Sequence, residues 1–370
     1  MNSLPWYALR SEAGCHSPSL LVYPERIARN IELMIRIARG TEHLRPHVKT
    51  HKMAEVILMQ LEAGITKFKC ATIAEAELLG SCGAPDVLLA FQPVGPNLER
   101  FLKLQAAFPQ TAFSTIVDDE GIAVKLDEMA TAGGGTARVY MDINVGMNRT
   151  GILPDENGYQ LYRKLASLPG LELKGFHVYD GHIRHPDAEE RTKACNAAFA
   201  PVSQLEGRLE SEGYRVGAIV AGGSPSFPVH ALRKGVETSP GTTLLWDAHY
   251  ADIFPDMPFL PAAVLFSRVI SKPARQHLCL DLGHKAIAPE MPFPRVRLLG
   301  MEQCNQIAQS EEHLVLECPS TENYRPGDAC YALPMHVCPT VAKYPIVFTV
   351  RDGEITGSWK VAARDHMISI

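Results

Sequence analysis

No apolar run in this chain of 370 residues is long enough to cross a membrane. The longest apolar window, Phe259 to Phe266, falls far short of the roughly 20 residues that a spanning helix needs. Residues 1–20 lack the apolar core of an export signal, so the expected compartment is the cytoplasm. Basic runs are missing too. The formal net charge is −5 and no cluster of lysine and arginine extends beyond a few residues, which argues against nucleic acid or membrane as a partner. The cysteines (Cys15, Cys70, Cys82, Cys195, Cys279, Cys304, Cys318, Cys330 and Cys338) form no regular framework, and most read as reduced, partly buried thiols. There is no internal repeat and no low-complexity tract.

What remains is a globular composition, 46% hydrophobic and 21% charged, in a chain long enough for two domains. From Leu44 to Gly241, short apolar strands alternate with helical patterns. Strands are expected at Leu44–Lys49, Lys67–Ala71, Val87–Phe91, Ala112–Val117, Arg138–Asn144, Leu173–Val178, Ala218–Ala221 and Gly235–Ser239. Helices are expected between most of them, one opened by the capping pair Thr72 and Glu75. Eight such units predict a (β/α)8 TIM-type barrel, an α/β fold. The proline-rich stretch Ile253–Pro261 reads as a linker. Beyond it the pattern is of strands with little helix, which predicts a C-terminal all-β domain. The expected domains are residues 1–255 and 256–370, with the first ~20 residues packing on the second domain.

A barrel of this kind gathers its chemistry at the C-terminal ends of its strands. The first strand ends at Lys49, inside Arg45–Lys52 (RPHVKTHK), where five of eight side chains are basic or imidazole. In an extended chain His47 and His51 share the side of Lys49. Neighbouring cations and burial would favour a neutral, nucleophilic amine, the setting of a Schiff-base lysine. The fifth strand leads to Arg149, placed either to face a ligand or to pair with Asp142. The sixth carries His177, Tyr179 and His182, with His185 just beyond, as alternates for an acid–base group. The seventh and eighth end in Gly222-Gly223-Ser224 and Ser239-Pro240-Gly241-Thr242, glycines and hydroxyls suited to a phosphate. In the second domain His336 and Cys338 are two apart. On a strand they would share a face and suit zinc.

RPHVKTHK also resembles the cofactor-lysine segment of the D-threonine aldolase and D-serine dehydratase family, alanine-racemase-like pyridoxal-phosphate enzymes of fold type III. DINVGMNRTGI (Asp142–Ile152), GFHVYDGH (Gly175–His182), GGSPSFP (Gly222–Pro228), SPGTTLLWD (Ser239–Asp247), LDLGHKA (Leu280–Ala286) and PMHVCPT (Pro334–Thr340) follow in the family's order. The resemblance implies pyridoxal phosphate carried on Lys49, with Arg149, Tyr179, Ser224 and Ser239 among its contacts. Gly222, Gly223, Gly241 and Thr242 would hold the phosphate. It further implies a divalent metal on His336 and Cys338, zinc first, manganese or magnesium as alternatives. The substrate would be a β-hydroxy-D-amino acid and the assembly a head-to-tail homodimer with its sites at the interface. His-x-Cys is similar to the dehydratase branch, while the histidine-rich YDGHIRH (Tyr179–His185) is similar to the aldolase branch. Retro-aldol cleavage to glycine and an aldehyde is therefore the first expectation and dehydration the second. Racemisation and a non-catalytic cofactor carrier come after.

Overall fold

Short apolar runs build the barrel strands, and acidic or hydroxyl side chains open several of the helices between them. The computed structural model describes residues 4–370. It divides into two compact units: residues 4–32, Thr50–Val56 and Thr242–Arg364 in one, Leu33–Lys49, Ile57–Gly241 and Asp365–Ile370 in the other. Strand β1 (Ser19–Val22) belongs to the first unit. The second holds the parallel strands β2 (Lys67–Cys70), β3 (Asp86–Leu89), β4 (Ala112–Val117), β5 (Ala137–Ile143), β6 (Leu171–Val178), β7 (Ala218–Ala221) and β8 (Val236–Thr238), each paired with the next. Capping occurs where the sequence places it. Thr72 Oγ1 accepts from the Glu75 N–H at 3.1 Å, and the Glu75 carboxylate accepts from the Ala71 N–H at 2.7 Å.

The expected first strand, Leu44–Lys49, does not form as a regular strand. Residues 44–47 still close the barrel, since Leu44 bridges to Thr238 and His47 to Lys69. Pro46 has no N–H to give to a ladder. His47 Nδ1 accepts the Lys49 N–H at 3.2 Å, and Val48–Thr50 turns into a 3₁₀ helix. The seam is fixed from inside by Arg45, which is 1% exposed. Its Nε donates to Glu237 at 2.7 Å, and its two terminal nitrogens donate to Asp86 at 2.7 and 3.0 Å. One guanidinium thus ties the closing segment to β8 and β3. Arg45→Met leaves the part-exposed Asp86 without its partner and leaves Glu237 to Lys67 alone, and is expected to cost about 2–3 kcal/mol. Denaturant unfolding measures this, and a change under ~1 kcal/mol would refute the staple. Above it, Leu88, Ile116, Tyr140 and Val220 fill the barrel interior.

The first unit is a nine-stranded sheet. To β1 it adds β9 (Ala263–Ala274), β10 (His277–Leu280), β11 (Val296–Leu299), β12 (Asn305–Gln309), β13 (Leu314–Glu317), β14 (Ala329–Pro334), β15 (Ile346–Arg351) and β16 (Glu354–Lys360). The main path runs β12-β13-β10-β9-β1-β15-β16, with β14 on β9 and β11 on β14. Three of these strands escape a pattern reading, for two reasons. β1 is buried at every position and shows no alternation. β12 and β16 lie at the two ends of the path and are polar, as edge strands tend to be. Of the cysteines, seven are free thiols, but Cys304 and Cys318 are joined in a disulfide that their spacing does not announce. No described helix is long and apolar enough to cross a membrane.

Candidate active site

The side chains of β2 alternate between the barrel interior and its outside, and this decides what faces the C-terminal rim. Lys69 lies in register with Leu88 of the interior cluster, so it points inward. It is 2% exposed, and its Nζ lies 3.4 Å from His177 Nε2. The other ring nitrogen of His177 is 2.7 Å from Asp142 Oδ1. Burial, reinforced by the charge of Lys49, pushes the Lys69 amine down to about 7, with Asp142 and Asp180 pulling the other way. Burial lowers the His177 imidazole as well, against the opposing pull of Asp142. A Lys69–His177–Asp142 line therefore crosses the interior from β2 to β5. His177 has both nitrogens engaged in it and is not a free base, and Asp142 is taken up by His177 rather than by Arg149.

Above this line opens a cavity of about 520 Å³, lined by Lys49, Lys69, Arg149, Tyr179 and His177 among others. Lys49 is exposed at it. The extended geometry expected for Lys49 is replaced by the 3₁₀ turn, and burial belongs to Lys69 instead. Lys69 Nζ and Arg149 Cζ lie 5.5 and 5.0 Å from the centroid of the Tyr179 ring. That ring sits directly on Gly223, where an added Cβ would come 3.0 Å from it. His182 and His185 are exposed and lie outside the cavity lining. His182 Nε2 faces Gly146 in the loop after β5.

The loop after β7 is held from behind. The Gly223 N–H donates to Ser226 Oγ at 3.1 Å. Ser226 in turn donates to Asp180 Oδ1 at 2.6 Å, and His230 Nε2 is 2.8 Å from Asp180 Oδ2. Asp180, Cys195 and His230 cluster closely enough to hold a cation, but both carboxylate oxygens are already engaged and burial pushes the Cys195 thiol up to about 12. We read the cluster as the brace of the loop. The Gly222 N–H goes to Val178 O and the Gly241 N–H to Ser224 Oγ. Ser239 Oγ is buried with no partner. The next residue, Pro240, accepts the His47 N–H at 2.8 Å, so this orphan hydroxyl adjoins the lysine segment. A buried hydroxyl awaiting a partner, a Gly223 packed tightly under the Tyr179 ring and a reachable lysine amine suit a cofactor with a phosphate and a carbonyl carbon.

In the other unit, His336 and Cys338 are not on a strand. β14 ends at Pro334, and His336 is the N-cap of a short helix, Val337–Val341, that carries Cys338 in its first turn. The Asp247 carboxylate accepts the Val337 N–H at 3.2 Å, which competes with any continuation of the sheet. Imidazole and thiol still meet. Burial opposes a charged His336, but contact with Cys338, with Glu290 at 2.5 Å and with the field of Asp247 lifts it to about 9. Cys338 Sγ also has Thr50 Oγ1 at 3.2 Å and Thr242 Oγ1 at 3.8 Å. Imidazole and thiol beside two carboxylates suit a borderline-soft divalent cation. Lys69 lies in no motif of the sequence, and the motifs that contain Asp180 and Ser226 do not announce their bracing role. The available signal is K-F-K-C in β2, which sets lysines at the inward positions of a barrel strand.

Residues 22–248 match the family "Alanine racemase, N-terminal domain". The chain belongs to that family. Residues 262–350 match a second one, "Putative serine dehydratase domain". This member of the alanine racemase N-terminal family is 28% identical over 359 residues to the D-threonine aldolase of an Arthrobacter species, covering 95% of this chain and 93% of that one. It is 27% identical over 369 residues to the 3-hydroxy-D-aspartate aldolase of Paracoccus denitrificans, at the same coverage of 95% and 93%. The crystal structure of D-threonine aldolase from Filomicrobium marinum matches with a TM-score of 0.86 and 26% identity over 98% of this chain and 99% of that one.

Proposed function

We propose that this chain is a pyridoxal-phosphate-dependent lyase that cleaves β-hydroxy-D-amino acids to glycine and an aldehyde. One observation carries the reading: similarity to D-threonine aldolase and 3-hydroxy-D-aspartate aldolase runs through 95% of the chain and so takes in both units. Lys49 would hold the cofactor covalently. Ser239, Ser224, Thr242 and the glycine loops Gly222-Gly223 and Gly241 would hold its phosphate, with Arg149 and Tyr179 beside its ring. When bound, pyridoxal phosphate supplies a sink for the electrons of a bond broken at Cα. A base that removes the β-hydroxyl proton then directs the break to Cα–Cβ. With both His177 nitrogens engaged, the remaining histidine candidates for that base are His182 and His185, exposed beyond the cavity lining. His336 and Cys338 would hold a divalent cation, zinc by the softness of the thiolate, whose chemistry is to polarise the β-oxygen. Phe91 and Val94 at the cavity are apolar and exposed, 55% and 47%, which supports a homodimer that covers the site.

The second reading is dehydration to a keto acid and ammonia, favoured by the match of residues 262–350 to the serine dehydratase domain. Product analysis separates the two. We expect glycine and acetaldehyde from D-threonine, with no turnover of L-threonine or L-serine. Ammonia and keto acid as the main products, from D-serine above all, would establish the dehydratase instead. A cofactor-loaded protein that turns over neither substrate would be a carrier.

A further inference from the structure

The cavity at Lys49 has three cationic side chains in its wall, Lys49, Lys69 and Arg149, and no carboxylate. Lys69 is the one that does not reach water. The groups around it are His177 from β6, Asp142 from β5, Tyr179 and Asp180 beyond β6, Lys49, and Arg45 at the seam. None of the carboxylates is bonded to it: Asp142 holds His177, and Asp180 holds Ser226 and His230. Its one side-chain hydrogen bond is to an imidazole nitrogen. A buried ammonium without an anion is costly. The cost disappears if an oxyanion enters the cavity beside it.

We propose that Lys69 is the anion-pairing residue of this cavity: its ammonium takes the negative oxygen of the bound molecule, a substrate carboxylate or the phenolic oxygen of the cofactor. The naming of these two sources rests on the lyase reading above; the anion site itself does not. In the empty cavity the amine loses its proton near pH 7. Below that pH it is already charged and an anion binds without proton exchange. Above it, every anion bound must bring a proton with it, so affinity falls as pH rises.

The probe for the carboxylate source is D-lactate, which has no amine to displace Lys49 from the cofactor. It is titrated into the holoenzyme by calorimetry between pH 6 and 9, in two amine buffers of different ionisation enthalpy. We expect proton uptake at pH 8, affinity that weakens above pH 7, and a loss of about 10- to 100-fold at pH 6 in Lys69→Met. Lys69→Arg should keep the affinity and lose the proton uptake. If the cofactor's oxygen is the partner, D-lactate binding is unchanged in Lys69→Met. The pH midpoint of the cofactor's absorbance then moves upward by about one unit or more. Lys69→Met that matches wild type in both measurements overturns the proposal. If Lys69→Met does not fold, wild type decides alone: the absence of both proton uptake at pH 8 and weaker binding above pH 7 overturns it. If the protein shows no cofactor absorbance, the lyase reading fails, and the D-lactate arm still settles the anion site.

Discussion

Lys49→Ala is expected to fold normally and to lose turnover of D-threonine by at least about a thousandfold, together with the absorbance of lysine-bound cofactor. The fold should survive because Lys49 is exposed and its side chain holds nothing in place. Substitutions at such positions usually change stability by less than about 0.5 kcal/mol. The chemistry should not survive, because no other amine offers both access to the cavity and freedom from a structural contact. Lys69 lines the same space but is buried against His177. The measurement is a paired record of the visible spectrum and single-turnover rate in wild type and Lys49→Ala. An unchanged cofactor band in the variant would move the assignment to Lys69 or Lys52.

The second large effect belongs to Cys338. Cys338→Ala is expected to weaken divalent-metal binding by more than about 100-fold and to abolish most turnover, while the cofactor band of Lys49 persists. The thiol is half-buried in a five-residue helix capped by His336, so a methyl group in its place should cost little stability. Metal affinity must also fall toward acid pH, since thiolate and neutral imidazole are both required. A chelator should reproduce the variant's loss in wild type, and added zinc should reverse it. If Cys338 is only one more thiol, the variant keeps full activity and chelators do nothing. Elemental analysis and rates on the same samples decide between the two outcomes.

The octapeptide Arg45–Lys52 shows how far the sequence could be read. Its density of positive charge marks the site, but not the division of labour inside it. Arg45 faces the barrel interior and closes the seam, His47 caps the N–H of Lys49, and His51 is buried with its Nδ1 on the Met53 N–H. These roles depend on the turn at Val48–Thr50, which Pro46 and the His47 ring impose and which an extended-chain reading does not contain. Among the strands from β2 to β8, β3, β4 and β7 are legible as short, mostly apolar runs covered on both faces, while β2 carries two lysines and β6 a glutamate and a lysine among their apolar residues. The polar edges β12 and β16 are not legible, since solvent and not packing selects their residues. His336 and Cys338 show the converse case. The pair was found from its chemistry, while the strand expected to align it is a helix N-terminus.

The proposed chemistry depends most on Lys49 being the covalent anchor, and the cavity contains a rival. Lys69 is the amine that burial drives toward neutrality, to about 7, and neutrality makes a nucleophile. Against it stand its 2% exposure and its hydrogen bond to His177. Reducing the holoenzyme with borohydride, digesting it and mapping the cofactor-modified peptide by mass distinguishes the two directly. We expect the adduct on Lys49 alone. An adduct on Lys69, with Lys49 unmodified, would contradict Lys49 as the anchor.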